Sequence, residues 1–107
     1  MTGLSATILD APRNVTAFSR SAVNFSCTSD QVSDIYWKRS DADASSVYIF
    51  DRRGRNEQQF GKRFEKTDVR LTSTLTIHNV QKSDSGKYVG RESNSASMCI
   101  IRLTVVG

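Results

Sequence analysis

The chain has 107 residues, of which 37% are hydrophobic and 24% are charged, and its formal net charge is +4. This composition is too apolar for a disordered chain, and no apolar run approaches the roughly 18 residues of a membrane span. The charge would favour acidic partners, although an excess of this size is more often a solvated surface. We expect residues 1–107 to be one domain, excised from a larger protein, with Met1 added.

Short segments in which apolar and polar residues alternate follow one another along the chain. Polar turns separate them, and no stretch has a convincing helical period. The lone proline, Pro12, lies near the start, where an edge strand can break or change sheets. The pattern predicts an all-β sandwich. The alternating segments are, in chain order, residues 23–27, 35–38, 71–80 and 99–105, and residues 47–50 are a short β-branched and aromatic run.

Three motifs, "VNFSC", "IYWKR" and "LTIHNVQKSDSGKY", together resemble an immunoglobulin V-type domain over nearly the whole chain. The resemblance implies an all-β, immunoglobulin-like two-sheet Greek-key sandwich of V type. It also implies that Cys27 is the strand-B cysteine, Trp37 the core tryptophan of strand C and Tyr88 the tyrosine-corner residue. The stretch between residues 37 and 71 leaves room for the additional strands C′ and C″ of the V set.

The same resemblance implies an ion pair. Arg63-Phe64 resembles the motif that opens strand D, whose arginine pairs with the acid that Asp84 matches. Two departures accompany it. Gly90 stands where the family has its strand-F cysteine, and strand G lacks the glycine bulge through which antigen-receptor variable domains pair. The second departure argues against that style of dimer.

The position of the second cysteine explains the first departure. If the F–G hairpin turns about Asn94-Ser95, Gly90 lies directly opposite Cys99, and both face the core. We interpret Cys27 and Cys99 as a disulfide from strand B to strand G, because the lost and the gained cysteine occupy opposed positions. Closing that loop would stabilise the fold by about 4 kcal/mol. Two free buried thiols are the alternative.

The outward side of the G-F-C-C′ sheet is the predicted partner-binding surface. It has aromatic, methionine and arginine residues in the arrangement of a protein interface, with Glu92 in its polar rim. In C′ either Tyr48 and Phe50 or Val47 and Ile49 face outward, and we assign the first pair. Ordinary strand residues on a two-sided sheet are the alternative reading. The predicted partner-binding residues are Tyr36, Lys38, Tyr48, Phe50, Val89, Arg91, Met98, Ile100 and Arg102.

Two N-glycosylation sequons begin at Asn14 and Asn24, and we assign both to the opposite sheet. A glycan on Asn24 would cover the A-B-E-D face and leave the G-F-C-C′ face for protein contact. Such tripeptides also arise by chance, and Asn24 lies in the middle of a strand, where access is poor. The densest basic cluster is a separate candidate site for an acidic glycan, or an ordinary solvated turn. It comprises Arg52, Arg53, Arg55 and Lys62.

No catalytic set is recognisable. The single histidine, His78, lies on an outward position of strand E, and it has no metal-ligand spacing with Cys27 and Cys99. We therefore expect no enzyme activity, no cofactor, no metal and no nucleic-acid binding. We expect an extracellular recognition or adhesion domain of a single-pass cell-surface protein, whose anchor lies outside this chain. The alternative is a lectin-like module that uses the basic cluster.

The partner of such a domain is a protein, and another copy of the same chain is one candidate. The shifted cysteine resembles V-set-like domains of invertebrate recognition receptors, including the cnidarian allorecognition family, whose outermost domains bind homophilically between cells. That resemblance depends on Gly90, Cys99 and the absent bulge. An intracellular muscle-type repeat is a third class, which the sequons and the V-type length disfavour.

Overall fold

The structure is a computed structural model that describes residues 7–31, 34–40, 46–56, 60–93 and 96–107. Within these ranges the chain forms nine β-strands and two short 3-10 helices, at Gly61–Arg63 and Lys82–Asp84. The strands are, in chain order, β1 (Arg13–Phe18), β2 (Val23–Thr28), β3 (Ile35–Ser40), β4 (Ser46–Asp51), β5 (Gly54–Arg55), β6 (Phe64–Val69), β7 (Thr72–Ile77), β8 (Gly86–Glu92) and β9 (Met98–Val106).

The strands form two sheets that pack face to face. The larger sheet has six strands in the order β1-β9-β8-β3-β4-β5, and the smaller has three in the order β2-β7-β6. In V-type lettering these are A′-G-F-C-C′-C″ and B-E-D, since β1 to β9 correspond to A′, B, C, C′, C″, D, E, F and G. The predicted all-β sandwich of V type is confirmed, with both additional strands present.

The start of the chain contacts both sheets, and Pro12 marks the change. Ile8 forms a bridge with Ser29 beside β2, and the Leu9 amide donates to the Thr28 carbonyl oxygen at 2.8 Å. From Arg13 onward the chain instead pairs in parallel with β9 of the larger sheet. Proline has no N–H to continue a ladder, so it suits the point where pairing with one sheet ends.

The core lies between the sheets and includes alternate residues of β2, β7 and β9 together with Tyr88 of β8. The Trp37 indole is fully buried, and its Nε1 donates to Ser73 Oγ of the opposite sheet at 3.0 Å. The rings of Phe25 and Tyr88 pack with their centroids 5.3 Å apart. These inter-sheet contacts bury the largest aromatic side chains and so supply much of the apolar stabilisation.

A β-bulge in β4 decides which of its residues face the core. Lys38 pairs with Tyr48, but Trp37 pairs with Phe50, so Ile49 is an extra residue between two rungs. Ile49 is fully buried, and Phe50 is only 8% exposed and belongs to the core. The assignment of Phe50 to the partner-binding surface is therefore wrong, because the bulge turns it inward beside Trp37. Tyr48 stays on the outward side.

Candidate functional site

The two cysteines join the sheets. Cys27 of β2 and Cys99 of β9 form a disulfide with their Cα atoms 6.1 Å apart, which confirms the predicted B-to-G bridge. Both side chains are fully buried. In the β8–β9 ladder Gly90 pairs with Cys99, and Tyr88 pairs with Ile101, in the expected register. The expected turn at Asn94-Ser95 lies outside the described residues. The bridge closes a sequence separation of 72 residues, for which chain entropy gives about 4 kcal/mol.

Gly90 is the residue that makes room for this bridge. A Cβ atom added at Gly90 would lie 2.5 Å from Cys27 Sγ, 3.1 Å from Cys99 Sγ and 3.2 Å from Trp37 Cη2. Carbon and sulfur atoms in contact need considerably more separation, so even a methyl group would have to displace a sulfur or the indole. Packing rather than backbone conformation therefore requires glycine here.

The lower end of the sandwich is closed by hydrogen bonds around Asp84. The Tyr88 hydroxyl donates to the Asp84 carbonyl oxygen at 2.5 Å, which is the tyrosine-corner contact. The buried Asp84 carboxylate accepts from the Gln81 amide at 2.8 Å and from both terminal nitrogens of Arg63 at 2.9 and 3.1 Å. The carboxylate is thus satisfied on both oxygens although almost no water reaches it.

Arg63 also holds the backbone of the neighbouring turn. One of its terminal nitrogens donates to the carbonyl oxygens of His78 and Asn79 at 3.2 and 3.1 Å. The side-chain hydrogen bonds to Asp84 raise the pKa of Arg63 above its ordinary value, although partial burial opposes that rise. The guanidinium therefore remains charged at any physiological pH, and the ion pair links the start of β6 to the turn before β8.

A cavity of about 380 Å³ opens beside this ion pair, lined by Arg39, Val47, Phe60, Arg63, Phe64, Ser83 and Asp84. Its two arginines already have partners in the fold. Arg39 donates to the Ser85 carbonyl oxygen at 2.7 Å and lies over the Tyr88 ring, and Arg63 pairs with Asp84. The charged groups of this cavity hold the fold together and do not make it a strong site for a ligand.

We call the solvent side of β3, β8 and β9, together with Tyr48 of β4, the outward face. Strand pairing aligns its residues in three rows across the sheet, because directly paired residues project to the same side. From the upper end, where β8 ends and β9 begins, the rows are Tyr36–Arg91–Met98, Lys38–Val89–Ile100 and Ser40–Lys87–Arg102.

An accessible apolar centre lies among these rows. Met98 is 41% exposed, and Tyr36, Tyr48 and Ile100 are half-buried. The ammonium group of Lys38 lies 5.9 Å from the centre of the Tyr48 ring. Arg91, which lies between Tyr36 and Met98 in the first row, and Arg102 in the third row are exposed. The outward face therefore has basic groups among and beside its accessible apolar groups.

Val89 belongs to the outward face but is not accessible. It pairs with Lys38 and Ile100 on the side opposite to Tyr88, yet it is only 1% exposed and does not belong to the core cluster. Because longer side chains on both neighbouring strands cover it, the prediction that Val89 offers contact area is wrong. The accessible apolar centre is formed by Tyr36, Met98 and Ile100.

Glu92 was expected in the polar rim of this face, and that expectation is also wrong. Its side chain is fully buried, and its Oε2 accepts a hydrogen bond from the buried Ser29 hydroxyl at 3.3 Å. The signal was present in the sequence, because Glu92 has the same parity as the inward residues Tyr88 and Gly90. The buried carboxylate therefore belongs to the upper end of the core.

Lys87 is a member of the outward face that the sequence analysis did not name. It pairs with Ser40 on one side and with Arg102 on the other. Alternation from the inward residue Tyr88 could have placed it there. Its presence extends the basic surround to four side chains, namely Lys38, Lys87, Arg91 and Arg102.

Comparison with protein families identifies this architecture. Residues 10–98 match the family model described as the immunoglobulin V-set domain. The chain belongs to the V-set family. A comparison with curated proteins finds no match. The matched stretch of this V-set domain ends one residue before Cys99, so the relocated cysteine lies just beyond it.

V-set domains generally serve in recognition or adhesion and are typically binding modules without enzymatic activity. Together with a disulfide, membership of this family indicates an extracellular setting. In the part of the chain that the structure describes, no helix is long and apolar enough to cross a membrane. Among the same residues, no group of three or more histidine, cysteine or acidic side chains could hold a metal ion.

The two sequons of this V-set domain lie on different sheets. Asn24 is exposed on β2 of the smaller sheet, where its Oδ1 accepts a hydrogen bond from Thr76 Oγ1 at 2.8 Å. Asn14 is exposed on β1 and pairs with Arg102 of the larger sheet. The assignment of Asn14 to the opposite sheet is therefore wrong, because the chain changes sheets before β1. Asn14 lies beside the outward face.

The basic cluster is less uniform than its sequence suggests. Arg52 and Arg53 are exposed in the turn between β4 and β5, and Lys62 is exposed in the first 3-10 helix. Arg55 is half-buried and donates to the Phe64 carbonyl oxygen at 3.3 Å, so it helps to hold β6. His78 is exposed, with its Nε2 3.2 Å from Glu65 Oε2.

Proposed function

We propose that this V-set domain is the recognition domain of a cell-surface protein and that it binds a protein partner through the outward face. The observation that carries the proposal is the accessible apolar group of Tyr36, Met98 and Ile100, with four basic side chains among and beside it. Interfaces commonly combine aromatic, methionine and arginine side chains in this way.

The sheet beneath this face supports its use as a rigid platform. The disulfide attaches β9 to β2 of the opposite sheet, and Trp37 of β3 bonds to Ser73 across the core. Residues on either side of these contacts therefore have fixed positions on their strands. Little backbone conformational entropy remains to be lost when a partner binds, which favours affinity.

The charge of the outward face restricts the partner. Four of its residues are basic, and no residue in the three rows is acidic. In a two-fold contact each copy presents the same patch, so basic groups would oppose basic groups. A partner with acidic side chains around an apolar centre avoids this repulsion. A second copy of the chain is a suitable partner only if the outward face of one copy binds a different surface of the other copy.

The test is a charge placed at the apolar centre. Ile100→Asp should reduce binding about thirtyfold or more, since central hot spots are worth about 2 kcal/mol or more. Beads coated with the domain measure self-binding, and fluorescent tetramers on cells of the source organism, with and without protease treatment, measure binding to another protein. Thr67→Asp is the matched control, because Thr67 is exposed on β6 of the other sheet.

Circular dichroism should show that both variants fold. Binding of the unglycosylated wild-type domain that Ile100→Asp leaves unchanged would contradict the proposal, and so would an unglycosylated wild-type domain that binds in neither assay. Self-aggregation that Ile100→Asp abolishes would identify a second copy as the partner. Staining that disappears after protease treatment would identify another protein.

Acidic-glycan binding is the second candidate, and the exposed side chains of Arg52 and Arg53 favour it. Arg52→Glu should then remove binding to heparin-coated beads, while Ile100→Asp should not. Salt separates the two candidates further, because it screens an exposed charge contact strongly and an apolar-centred interface only modestly. Binding that is lost with Arg52→Glu and survives Ile100→Asp would favour the glycan-binding function.

A further inference from the structure

The sequon at Asn14 lies at the border of the outward face. Asn14 pairs with Arg102 across β1 and β9, so its side chain projects to the same side as Arg102 and Ile100. The next pair along the same two strands agrees with this orientation, since Val15 pairs with Leu103, which is buried in the core on the opposite side of the sheet. Adjacent strands are about 4.8 Å apart, so Asn14 is a direct neighbour of the third row.

A shallow groove connects Asn14 with the apolar centre. It has a volume of about 200 Å³ and is lined by Pro12, Arg13, Asn14, Ile100 and Arg102. Ile100 is one of the three accessible apolar residues of the proposed contact, and Arg102 is one of its basic residues. A bulky group on the Asn14 amide would therefore occupy the space through which a partner approaches Ile100.

The Asn14 amide is also available for modification. Asn14 and Thr16 are both exposed, on a strand that forms the edge of the larger sheet. Within the described ranges the Asn14 side chain makes no hydrogen bond, whereas Asn24 accepts one from Thr76. Asn24 lies on the smaller sheet, away from the outward face. The two sequons thus differ in accessibility and in what a glycan would cover.

We propose that a glycan on Asn14 regulates the outward face by covering the groove at Ile100 and blocking the partner, while a glycan on Asn24 leaves binding intact. This inference rests on the proposed function. Attachment is oligosaccharide transfer from a lipid-linked diphosphate donor. The amide nitrogen forms a bond to the anomeric carbon and loses a proton, and the bond from that carbon to the diphosphate oxygen breaks.

The experiment compares glycosylation and binding in the same preparations. The domain is secreted from glycosylating cells, and mass spectrometry measures occupancy at Asn14 and Asn24. Thr16→Ala removes the first sequon and keeps Asn14, and Asn24→Gln removes the second as the matched control. Binding of beads and of cell-surface tetramers is then measured. We expect Thr16→Ala, or enzymatic deglycosylation, to raise binding at least tenfold and Asn24→Gln to leave it unchanged.

Each remaining outcome overturns one proposal or both. An occupied Asn14 with equal binding before and after Thr16→Ala would overturn the regulation. An unoccupied Asn14 would do the same. In either case the proposed function stands if Ile100→Asp still abolishes binding. If neither the deglycosylated domain nor Thr16→Ala binds in either assay, the proposed function fails, and the regulation fails with it.

Discussion

Gly90 and Cys99 are directly paired across β8 and β9, and the side chain absent from Gly90 leaves space for the two sulfurs of the Cys27–Cys99 bridge. The family places its second cysteine at the position of Gly90. Here the cysteine stands one strand further along the sheet, and the disulfide reaches the same strand-B partner, Cys27. The covalent link between the sheets is preserved although its attachment on the larger sheet has moved from β8 to β9.

The contact distances at Gly90 predict that it tolerates no side chain. Gly90→Ala should lower the free energy of unfolding by about 1–3 kcal/mol, because the added methyl group overlaps Cys27 Sγ. Urea denaturation measures the change. In a Cys27→Ala/Cys99→Ala background the same substitution should cost less, since both sulfurs are absent. An equal cost in the two backgrounds would show that the disulfide is not what excludes the side chain.

Removal of the bridge should be costly. Cys27→Ala/Cys99→Ala should lower the free energy of unfolding by about 4 kcal/mol, because the unfolded chain regains the entropy of a loop of 72 residues. Non-reducing peptide mapping should find Cys27 linked to Cys99 in wild-type protein from an oxidising compartment. Recovery of both cysteines as alkylatable thiols in the folded wild type would refute the bridge.

The pair of Arg63 and Asp84 should behave as one energetic unit. Asp84→Ala should lower the free energy of unfolding by about 1–3 kcal/mol, more than an exposed ion pair, because the carboxylate is buried and also accepts from the Gln81 amide. Arg63→Ala should cost at least as much, since it leaves a buried charge without its counter-ion.

The double variant provides the control for that pair. Arg63→Ala/Asp84→Ala should be less destabilising than the sum of the single changes, with a coupling of about 1–3 kcal/mol, because the bidentate contact is lost only once. Thermal and urea unfolding of the four proteins complete the cycle. Strictly additive costs would mean that the two side chains contribute independently.

The bulge in β4 predicts opposite consequences for two neighbouring aromatic residues. Phe50→Ala should destabilise the domain by about 3–5 kcal/mol, because Phe50 is a core residue. Tyr48→Ala should cost about 1 kcal/mol or less, since it removes a half-buried ring and its contact with Lys38. If Phe50→Ala lowered the free energy of unfolding in urea by less than Tyr48→Ala does, Phe50 would not be a core residue. The bulge at Ile49, which turns Phe50 inward, would then be wrong.

Much of the site could be predicted because it depends on short-range rules. Side chains alternate strictly along a strand, and a tight hairpin sets the register of its two strands. The pairing of Gly90 with Cys99 therefore followed from the turn between them. The same parity placed Ile100 and Arg102 outward. It also places Glu92 inward, where the structure has it.

Three features of the structure could not be predicted from the alternation of apolar and polar residues along a strand. A bulge adds one residue without a sequence signature and so reversed the direction expected for Phe50. The burial of Val89 depends on side chains from two neighbouring strands, which are distant in sequence. The position of Asn14 beside Arg102 depends on a parallel pairing between β1 and β9, which are distant in sequence.

The sequence by itself determined which residues share a side within each regular strand, because that periodicity is local. Which strands lie side by side, and which side chains cover one another, was decided only by packing between distant segments.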